Sequence, residues 1–297
     1  MSPGRHFVLR VGEEGYPEQL TMTPRPPRTL YGIGDPAALG RGLAIIGSRK
    51  ATPYGLGCAT RFARRAAEEG VSVISGAAMG CDQAAQRAAL AAGGSSVAVL
   101  GCGADVDYPA RARDLLDALR EGGGAVVSEF PWGMPPARGH FPARNRIIAG
   151  LASAVLVVEA ALPSGTFSTA DHALEAGRDV LAVPGSVFFS GSAGCNRLIR
   201  QGAAPVCCDE DLLDSLWAAS LLGEDAPGRL HSIESAFAAP STDPLLRALQ
   251  ADPATPDRLV LSLGLDAADV MRRIAMLEST GAIARYPDGR YGPCARR

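Results

Sequence analysis

Short apolar runs alternate with alanine-rich amphipathic stretches from Leu43 to about Val206. This alternation is typical of a parallel sheet whose strands are joined by crossover helices. It predicts six strands: Leu43–Ile46, Val71–Ser75, Ser96–Leu100, Ala125–Ser128, Ala154–Val158 and Val180–Val183. It also predicts six helices: Gly55–Glu69, Cys81–Ala92, Ala110–Arg120, Asn145–Leu151, Ser168–Ala176 and Gly194–Gln201. We therefore predict one large α/β domain with a mostly parallel sheet.

The remainder of the chain divides into three segments. Residues 1–40 are rich in proline and predict an N-terminal extended arm that wraps the α/β domain of residues 41–220. Residues 221–242 carry the Pro, Gly and Ser pattern of a linker. In residues 243–297, three helical patterns precede an apolar–polar alternation around an Asp-Gly turn. Three helices followed by a hairpin predict a small C-terminal winged-helix domain.

Composition is that of a globular protein. The 297 residues are 47% hydrophobic and 20% charged, which suits about two domains and excludes wholesale disorder. The first residues lack the apolar core of a signal peptide, and no apolar stretch reaches 18 residues. We therefore expect a cytoplasmic protein without membrane association. Seven cysteines with no Cys-x-x-Cys pair favour reduced thiols over a zinc site.

The charge balance limits where a polyanion could bind. Twenty-nine basic and 31 acidic residues give a net charge of -2, so any nucleic-acid site must be local. The basic residues are 28 arginines and one lysine, Lys50, which follows Gly47, Ser48 and Arg49. Either chance or a preference for a compact ammonium group explains this single lysine.

Three loops after predicted strands combine glycine with a hydroxyl residue. They are residues 47–55, 75–80 and 159–166, and the last contains Ser164, Gly165 and Thr166. Ligands bind at the carboxyl ends of parallel strands, where glycine and free helix amides suit a phosphate. Each loop alone is more simply a tight turn into a helix. Three such loops at one sheet edge favour a phosphate-binding function.

A basic segment, residues 136–146, contains three arginines and no acid. Five cations would then border one pocket: Arg49, Lys50, Arg138, Arg144 and Arg146. Phe141 lies within the segment and could stack on a base, which favours a single-stranded nucleic-acid site. The alternatives are a solvated basic face, or arginines that pair with Glu129 and Glu159.

Common enzyme signatures are absent from the sequence. A P-loop needs glycine before its lysine, whereas Arg49 precedes Lys50. The dinucleotide fingerprint, the Gly-x-Ser-x-Gly elbow and the His-Glu-x-x-His zinc motif are also missing. Asp105 and Asp107 lack a third acidic partner, which favours helix capping over metal binding. We expect neither a metal nor a cofactor.

Eight motifs occur in an order that resembles one protein family. They are Gly47-Ser-Arg-Lys-Ala-Thr-Pro-Tyr-Gly55, Ser75-Gly-Ala-Ala-Met-Gly-Cys-Asp82, Val99-Leu-Gly-Cys-Gly103, Tyr108-Pro109, Ser128-Glu-Phe-Pro131, Phe141-Pro-Ala-Arg-Asn-Arg-Ile-Ile-Ala-Gly150, Ser164-Gly-Thr166, and Val183-Pro-Gly-Ser186 with Gly194-Cys-Asn-Arg-Leu-Ile199. Together they resemble the bacterial DNA-processing protein A (DprA, or Smf) family over about residues 16–215. Residues 243–297 are similar to the winged-helix domain of that family.

The resemblance implies an extended Rossmann-like domain without enzymatic activity that binds single-stranded DNA and forms a homodimer. It also implies a role in loading the RecA recombinase during natural transformation. The implied ssDNA-binding residues are Gly47, Ser48, Arg49, Lys50, Arg138, Phe141, Arg144, Asn145, Arg146, Ser164, Gly165 and Thr166. The chain departs from the family at Arg138, where lysine is common. We also expect the sterile-alpha-motif-like domain that precedes many members to be absent.

An enzyme is the main alternative, because Rossmann-like nucleotide phosphoribohydrolases share this loop layout. Their motif is Pro-Gly-Gly-x-Gly-Thr-x-x-Glu. Aligning its Gly-Thr with Gly165 and Thr166 places Thr169 at the catalytic glutamate, so the carboxylate is missing. For the winged helix, DNA binding and protein binding remain equally open.

Overall fold

The computed structural model of the chain describes residues 5–223, 243–286 and 288–293. Most of the predicted linker, residues 224–242, lies outside the described residues. The first four residues of the predicted arm and the last four of the winged-helix segment also lie outside them.

One sheet forms the centre of the α/β domain. Its strands in the described ranges are β1 (His6–Arg10), β2 (Thr29–Gly34), β3 (Gly42–Ile46), β4 (Ser72–Ser75), β5 (Ser96–Val99), β6 (Gly124–Ser128), β7 (Ala152–Val157), β8 (Asp179–Ala182) and β9 (Ala204–Pro205). Their order is β1-β2-β6-β5-β4-β3-β7-β8-β9. The β1–β2 and β2–β6 pairs are antiparallel, and the other pairs are parallel. Strands β4, β5 and β6 lie on one side of β3, and β7 lies on its other side. The chain therefore reverses its direction of growth between β3 and β7, which makes this a topological switch point.

Helices cover both faces of this sheet. The described α-helices of the domain are α1 (Glu18–Thr21), α2 (Pro53–Glu68), α3 (Cys81–Ala91), α4 (Arg113–Ala118), α5 (His140–Leu151), α6 (Thr166–Glu175), α7 (Ala193–Arg200) and α8 (Asp209–Ala218). Strand β3 contributes to both layers, because Leu43 and Ile45 pack in the cluster that contains α2 and α3. Ala44 and Ile46 face the opposite cluster, which contains α5, α6 and α7. Burial on both faces explains why the parallel strands are continuous apolar runs.

The six predicted strands are confirmed as β3 to β8, within the predicted mostly parallel α/β fold. The predicted arm differs from the structure, because β1 and β2 extend the sheet beside β6 instead of only wrapping it. Helix α5 begins at His140, before the predicted start at Asn145, and includes Pro142 in its first turn. Proline is tolerated there because a first-turn N–H has no helical acceptor.

The predicted helix Ala110–Arg120 is divided into three pieces. A 3-10 helix at Ala110–Ala112 precedes α4, and a π-helical turn at Leu119–Gly123 follows it. The remaining short 3-10 helices of the described domain lie at Pro36–Leu39 and Ser190–Ser192.

The C-terminal segment folds as the predicted winged helix. Its elements are α9 (Pro244–Ala251), α10 (Pro256–Leu263), α11 (Ala267–Ser279), β10 (Ile283–Arg285) and β11 (Tyr291–Pro293). Each helix begins at a side-chain cap: Asp243 accepts from the Leu245 amide at 2.8 Å, and Thr255 and Asp266 cap α10 and α11. Strands β10 and β11 pair antiparallel across the predicted Asp-Gly turn.

Membrane-spanning helices, metal clusters and disulfides are all absent from the described residues. None of their helices is sufficiently long and apolar to cross a membrane. They contain no group of His, Cys, Asp and Glu side chains arranged to hold a metal ion. Their cysteines are free thiols.

Candidate nucleic-acid interface

A cleft of about 710 Å³ opens at the carboxyl ends of β3 and β7. All three glycine- and hydroxyl-containing loops, or the first turns of the helices after them, contribute to its walls. The predicted site residues that line it are Gly47, Ser48, Arg49, Lys50, Phe141, Arg144, Asn145, Ser164, Gly165 and Thr166. Convergence at a switch point is the arrangement expected of a ligand site in an open α/β sheet.

The loop after β3 supplies the exposed cations of the cleft. Arg49 and Lys50 are exposed, and neither forms an ion pair with any residue in the described part of the chain. The Ser48 hydroxyl accepts from the Lys50 amide at 3.2 Å and shapes this turn. At Gly47, an added Cβ would lie 2.6 Å from the Cys81 sulfur, so only glycine allows the loop to approach α3. Unpaired cations give the cleft a local positive charge on a protein that is negative overall.

Glu159 holds the loop after β3 to the end of β7. Its carboxylate accepts from the Thr52 hydroxyl at 2.5 Å and from the Thr52 amide at 3.2 Å. Thr52 in turn caps α2 by accepting from the Gly55 amide at 3.1 Å. Burial raises the pKa of Glu159, and the hydrogen bonds from Thr52 oppose that shift. Glu159 therefore fixes the geometry of the cleft, and the alternative that it pairs with an arginine is wrong within the described residues.

Phe141 lies in the first turn of α5, where it borders the cleft. Its ring packs against the backbone at Gly101, where an added Cβ would lie 3.0 Å from a ring carbon. The Tyr108 ring is 5.6 Å away between centroids, and the Arg49 guanidinium is 5.7 Å from the Phe141 centroid. The half-buried phenylalanine thus sits beside an unpaired cation, within the range of a cation–π contact.

Arg144 is buried at the base of the cleft and is only 4% exposed. Its Nη1 donates to the Gly76 carbonyl at 2.9 Å and to the Val99 carbonyl, so it joins the ends of β4 and β5. Burial lowers the pKa of Arg144 to about 10, and the charge of Asp82 opposes that shift. Asp82 is also buried and accepts from the Gly76 amide at 3.1 Å. Arg144 therefore supports the loops that form the cleft.

The two other arginines of the basic segment lie outside the residues that line the cleft. Arg146 donates to both carboxylate oxygens of Glu129, at 2.9 and 2.6 Å, which confirms the alternative of pairing for this residue. It faces a neighbouring groove instead. Arg138 is exposed in the loop before α5 and forms no ion pair within the described ranges. Of the three arginines in the segment, Arg144 is buried at the base of the cleft, Arg146 is paired with Glu129, and Arg138 is exposed.

The Ser164 turn is already formed by internal hydrogen bonds. The Ser164 hydroxyl accepts from the Thr166 amide at 3.2 Å and lies 2.9 Å from the Thr166 hydroxyl. An anion at the start of α6 would therefore compete with Ser164 for the Thr166 amide.

The loop after β8 forms a further wall of the cleft, although none of its residues is among the predicted site residues. The cleft is lined there by Phe189, Ser190 and Gly191. The glycine and serine residues after a predicted strand could have identified this loop as part of the site. The winged helix contacts this wall, because the Arg290 guanidinium lies 4.9 Å from the Phe189 centroid. Ser186, in the same loop, donates to Asp252 at 3.1 Å. The second domain thus meets the cleft at its edge.

The model of the DNA recombination-mediator protein A family matches residues 7–217. The chain belongs to this family. The model of the DprA winged helix domain matches residues 235–289. Together the two matches confirm the resemblance drawn from the eight motifs and the fold expected from it.

Curated relatives of the chain carry names of the same family. Protein Smf of Escherichia coli is 40% identical over 292 residues, which cover 96% of this chain and 76% of that protein. The DNA processing protein DprA of Bacillus subtilis is 36% identical over 211 residues, which cover 70% of this chain and 71% of that protein.

Two solved structures of DNA processing protein A are similar to this family member. The Streptococcus pneumoniae structure matches with a TM-score of 0.67 and 37% identity, covering 71% of this chain and 74% of that chain. The Helicobacter pylori structure matches with a TM-score of 0.65 and 28% identity, covering 72% and 97%. The H. pylori structure is described in terms of a single-stranded DNA binding mode.

Proposed function

We propose that this recombination-mediator protein binds single-stranded DNA in the cleft, without regard to base sequence. The observation that carries the proposal is the unpaired, exposed pair of Arg49 and Lys50 beside the Phe141 ring. The similar H. pylori protein, described by its single-stranded DNA binding mode, supports the same ligand class.

The mechanism follows from these side chains. Arg49 and Lys50 neutralise phosphates and release counterions, so the affinity falls as the salt concentration rises. Phe141 stacks on an unpaired base, a contact that duplex bases already make with each other. We predict a further phosphate contact from Arg138, which is exposed in the loop before α5, while Arg144 and Asn145 line the cleft.

We further propose that the protein is a non-catalytic mediator that helps to load the RecA recombinase in transformation or recombination. Two clefts of a homodimer on one strand would make the second contact intramolecular and raise the overall affinity. Thr169 is buried in the cleft wall, at the position where nucleotide phosphoribohydrolases carry glutamate, and this supports a binding function over an enzymatic one. Release of a free base from a nucleoside monophosphate by the protein would contradict the proposal that it is not an enzyme.

Fluorescence anisotropy of labelled oligo-dT tests the ligand. The Arg49→Ala, Lys50→Ala double variant should bind more than tenfold more weakly, and its log–log salt slope should flatten by about 1.4 for two lost contacts to a single strand. The matched control is Arg64→Ala, Arg200→Ala, which removes two exposed arginines that form no ion pair in the described ranges and lie outside the cleft lining. Equal loss in both double variants, or no preference for single strands over duplex, would refute the proposed site.

A second assay tests the mediator role. The rate at which RecA assembles on a labelled single strand should rise when the wild-type chain is added. The Arg49→Ala, Lys50→Ala variant should give no such increase, because it cannot hold the strand. An unchanged assembly rate with the wild-type chain would remove RecA loading from the proposal and leave strand binding intact.

A further inference from the structure

A groove of about 520 Å³ lies beside the cleft. Its walls come from residues 25–26 before β2, residues 129–130 after β6, the first half of α5, and Ser168 and His172 of α6. We call it the α5–α6 groove. Pro142 and Ser168 also line the cleft, so the groove borders the proposed strand site. Its volume lies within the range of ligand-binding sites, about 300–1,000 Å³.

Part of the wall of the α5–α6 groove is apolar. Pro26, Phe130, Pro142 and Ala143 line it, and each is at least partly exposed. The Phe130 ring stacks on the His140 imidazole, with 3.9 Å between the ring centroids and 21° between the ring planes. Prolines and stacked rings have little conformational freedom to lose on binding, so this wall suits an apolar side chain of a ligand.

The charges that face the groove nearly cancel. Arg146 is neutralised by both carboxylate oxygens of Glu129, and Glu175 lies at a small extension of the groove that Arg25 and Arg146 share. Arg25 is exposed and forms no ion pair with any residue in the described part of the chain. One unpaired cation is complementary to a single carboxylate, whereas the acidic groups nearby disfavour a polyanionic strand.

Two histidines of the groove have a ring nitrogen that can accept a hydrogen bond. Nδ1 of His140 is 3.1 Å from the Gly101 carbonyl, and Nδ1 of His172 is 3.0 Å from the Glu175 carboxylate. Both partners only accept, so Nδ1 carries the proton and Nε2 of the neutral ring is an acceptor. Neither Nε2 is hydrogen-bonded within the described ranges. A peptide backbone has N–H donors for these acceptors, and a phosphodiester backbone has none.

We propose that the α5–α6 groove binds a peptide segment of a protein partner, in which an apolar side chain is followed or preceded by a carboxylate. The apolar side chain packs against Phe130, the carboxylate pairs with Arg25, and the peptide N–H groups donate to His140 or His172. Because the groove borders the cleft, the partner is held beside the proposed strand site. The peptide contacts themselves do not require that the cleft binds DNA.

Fluorescence anisotropy with two sets of labelled octapeptides tests this assignment. The acidic set carries one aspartate or glutamate and one phenylalanine or leucine at every spacing, in a glycine and serine background. The amide set has asparagine or glutamine instead of the acid. The wild-type chain should bind its best acidic peptides with a Kd below about 1 mM, and Arg25→Ala should weaken them about fivefold through the loss of one exposed charge pair. The affinity for the amide set should not change in this variant.

A second variant tests the acceptor. His140→Phe keeps a ring to stack on Phe130 but removes Nε2, so it should weaken both peptide sets about fivefold, as expected for one lost hydrogen bond. Arg28→Ala is the matched control for Arg25→Ala. It removes another exposed arginine of the same segment, which lies outside the groove lining and has no ion pair in the described ranges. Peptide affinity and the unfolding midpoint of this control should match the wild type.

Three results would overturn the peptide site: no binding of any acidic peptide at about 1 mM, equal effects of Arg25→Ala on both sets, or equal effects of Arg25→Ala and Arg28→Ala. Oligo-dT affinity of Arg25→Ala should stay within about twofold of the wild type, because salt screens a charge outside the cleft. Loss of oligo-dT binding with unchanged peptide binding would assign the groove to the strand instead. Failure of the wild-type chain to bind oligo-dT would refute the cleft and leave the peptide result in force.

Discussion

Replacing Arg144 with methionine removes a buried charge from the base of the cleft at nearly constant side-chain volume. The change deletes the hydrogen bonds to the Gly76 and Val99 carbonyls and leaves Asp82, only 6% exposed, without its nearby cation. A buried carbonyl without a partner costs about 1–3 kcal/mol, and an uncompensated buried charge costs about 3–5 kcal/mol. These penalties overlap because Asp82 can take up a proton, so we expect a loss of about 4 kcal/mol in the free energy of unfolding.

The assay is thermal unfolding followed by circular dichroism at neutral pH. For a domain of this length, 1 kcal/mol corresponds to about 2–4 °C, so the midpoint of Arg144→Met should fall by roughly 8–16 °C. Arg138→Met is the matched control, because it removes the same charge from an exposed side chain without an ion-pair partner in the described ranges. Its midpoint should stay within about 2 °C of the wild type. Its salt slope for oligo-dT should flatten by about 0.7 if Arg138 contacts one phosphate.

The two variants therefore separate stability from binding. An Arg144→Met protein that melts with the wild type but loses oligo-dT affinity would refute our reasoning. It would mean that the guanidinium acts mainly on the ligand and that the β4 and β5 loops hold their positions without it. A midpoint drop with unchanged Arg138→Met stability would instead establish Arg144 as a positioning residue.

Two further predictions concern buried ionisable groups. Glu159→Gln keeps an amide oxygen for Thr52 while removing a negative charge. One charge roughly 6 Å from a phosphate in water repels it by about 0.7 kcal/mol, so oligo-dT affinity should rise about threefold. Burial raises the pKa of Glu159 above 4.5, so wild-type stability falls as the pH rises past that value. In denaturant titrations the variant should be the more stable protein above pH 4.5 and lose that advantage below it. A difference in the free energy of unfolding that does not change with pH would contradict the raised pKa of Glu159. Burial also raises the pKa of Cys102 to about 11 and of Cys195 to about 12. Burial and Asp211 raise the pKa of Cys207 too, but Cys207 is exposed, so iodoacetamide at pH 8 should label it before Cys102 and Cys195 in peptide mass maps. Equal labelling rates would show that the buried thiols are accessible.

The parallel core could be predicted from the sequence because its signals are local. Each strand from β3 to β8 is a short apolar run buried on both faces, followed by a helix with its own apolar face. Strands β1 and β2 lack this signal, since β1 is only partly buried and its register depends on pairing with residues 19 to 27 positions away. Their proline-rich surroundings therefore predicted an arm, although the pairing with β6 makes them part of the sheet.

Location of the cleft was predictable, but the direction of each arginine was not. The strand-end rule identified the correct loops without any knowledge of side-chain orientation. Arg144 and Arg146 lie two positions apart on α5, so they project about 200° apart around the helix axis, toward different surroundings. The predicted helix begins only at Asn145, so helical geometry could not be applied to Arg144. Where α5 begins thus decides which charges reach the cleft.

This distribution of charge has a consequence for how the proposed ligand binds. Arg146 is neutralised by Glu129 and Arg144 is opposed by Asp82, so the unpaired cations of the described basic loops are Arg49, Lys50 and Arg138. Three phosphate contacts correspond to a salt slope of only about -2 for a single strand. Such a shallow electrostatic contribution leaves most of the affinity at physiological salt to base stacking. We therefore expect an abasic strand to bind much more weakly than oligo-dT while retaining the same slope, and a steeper slope for oligo-dT would mean that arginines paired in the free protein exchange their carboxylates for phosphates.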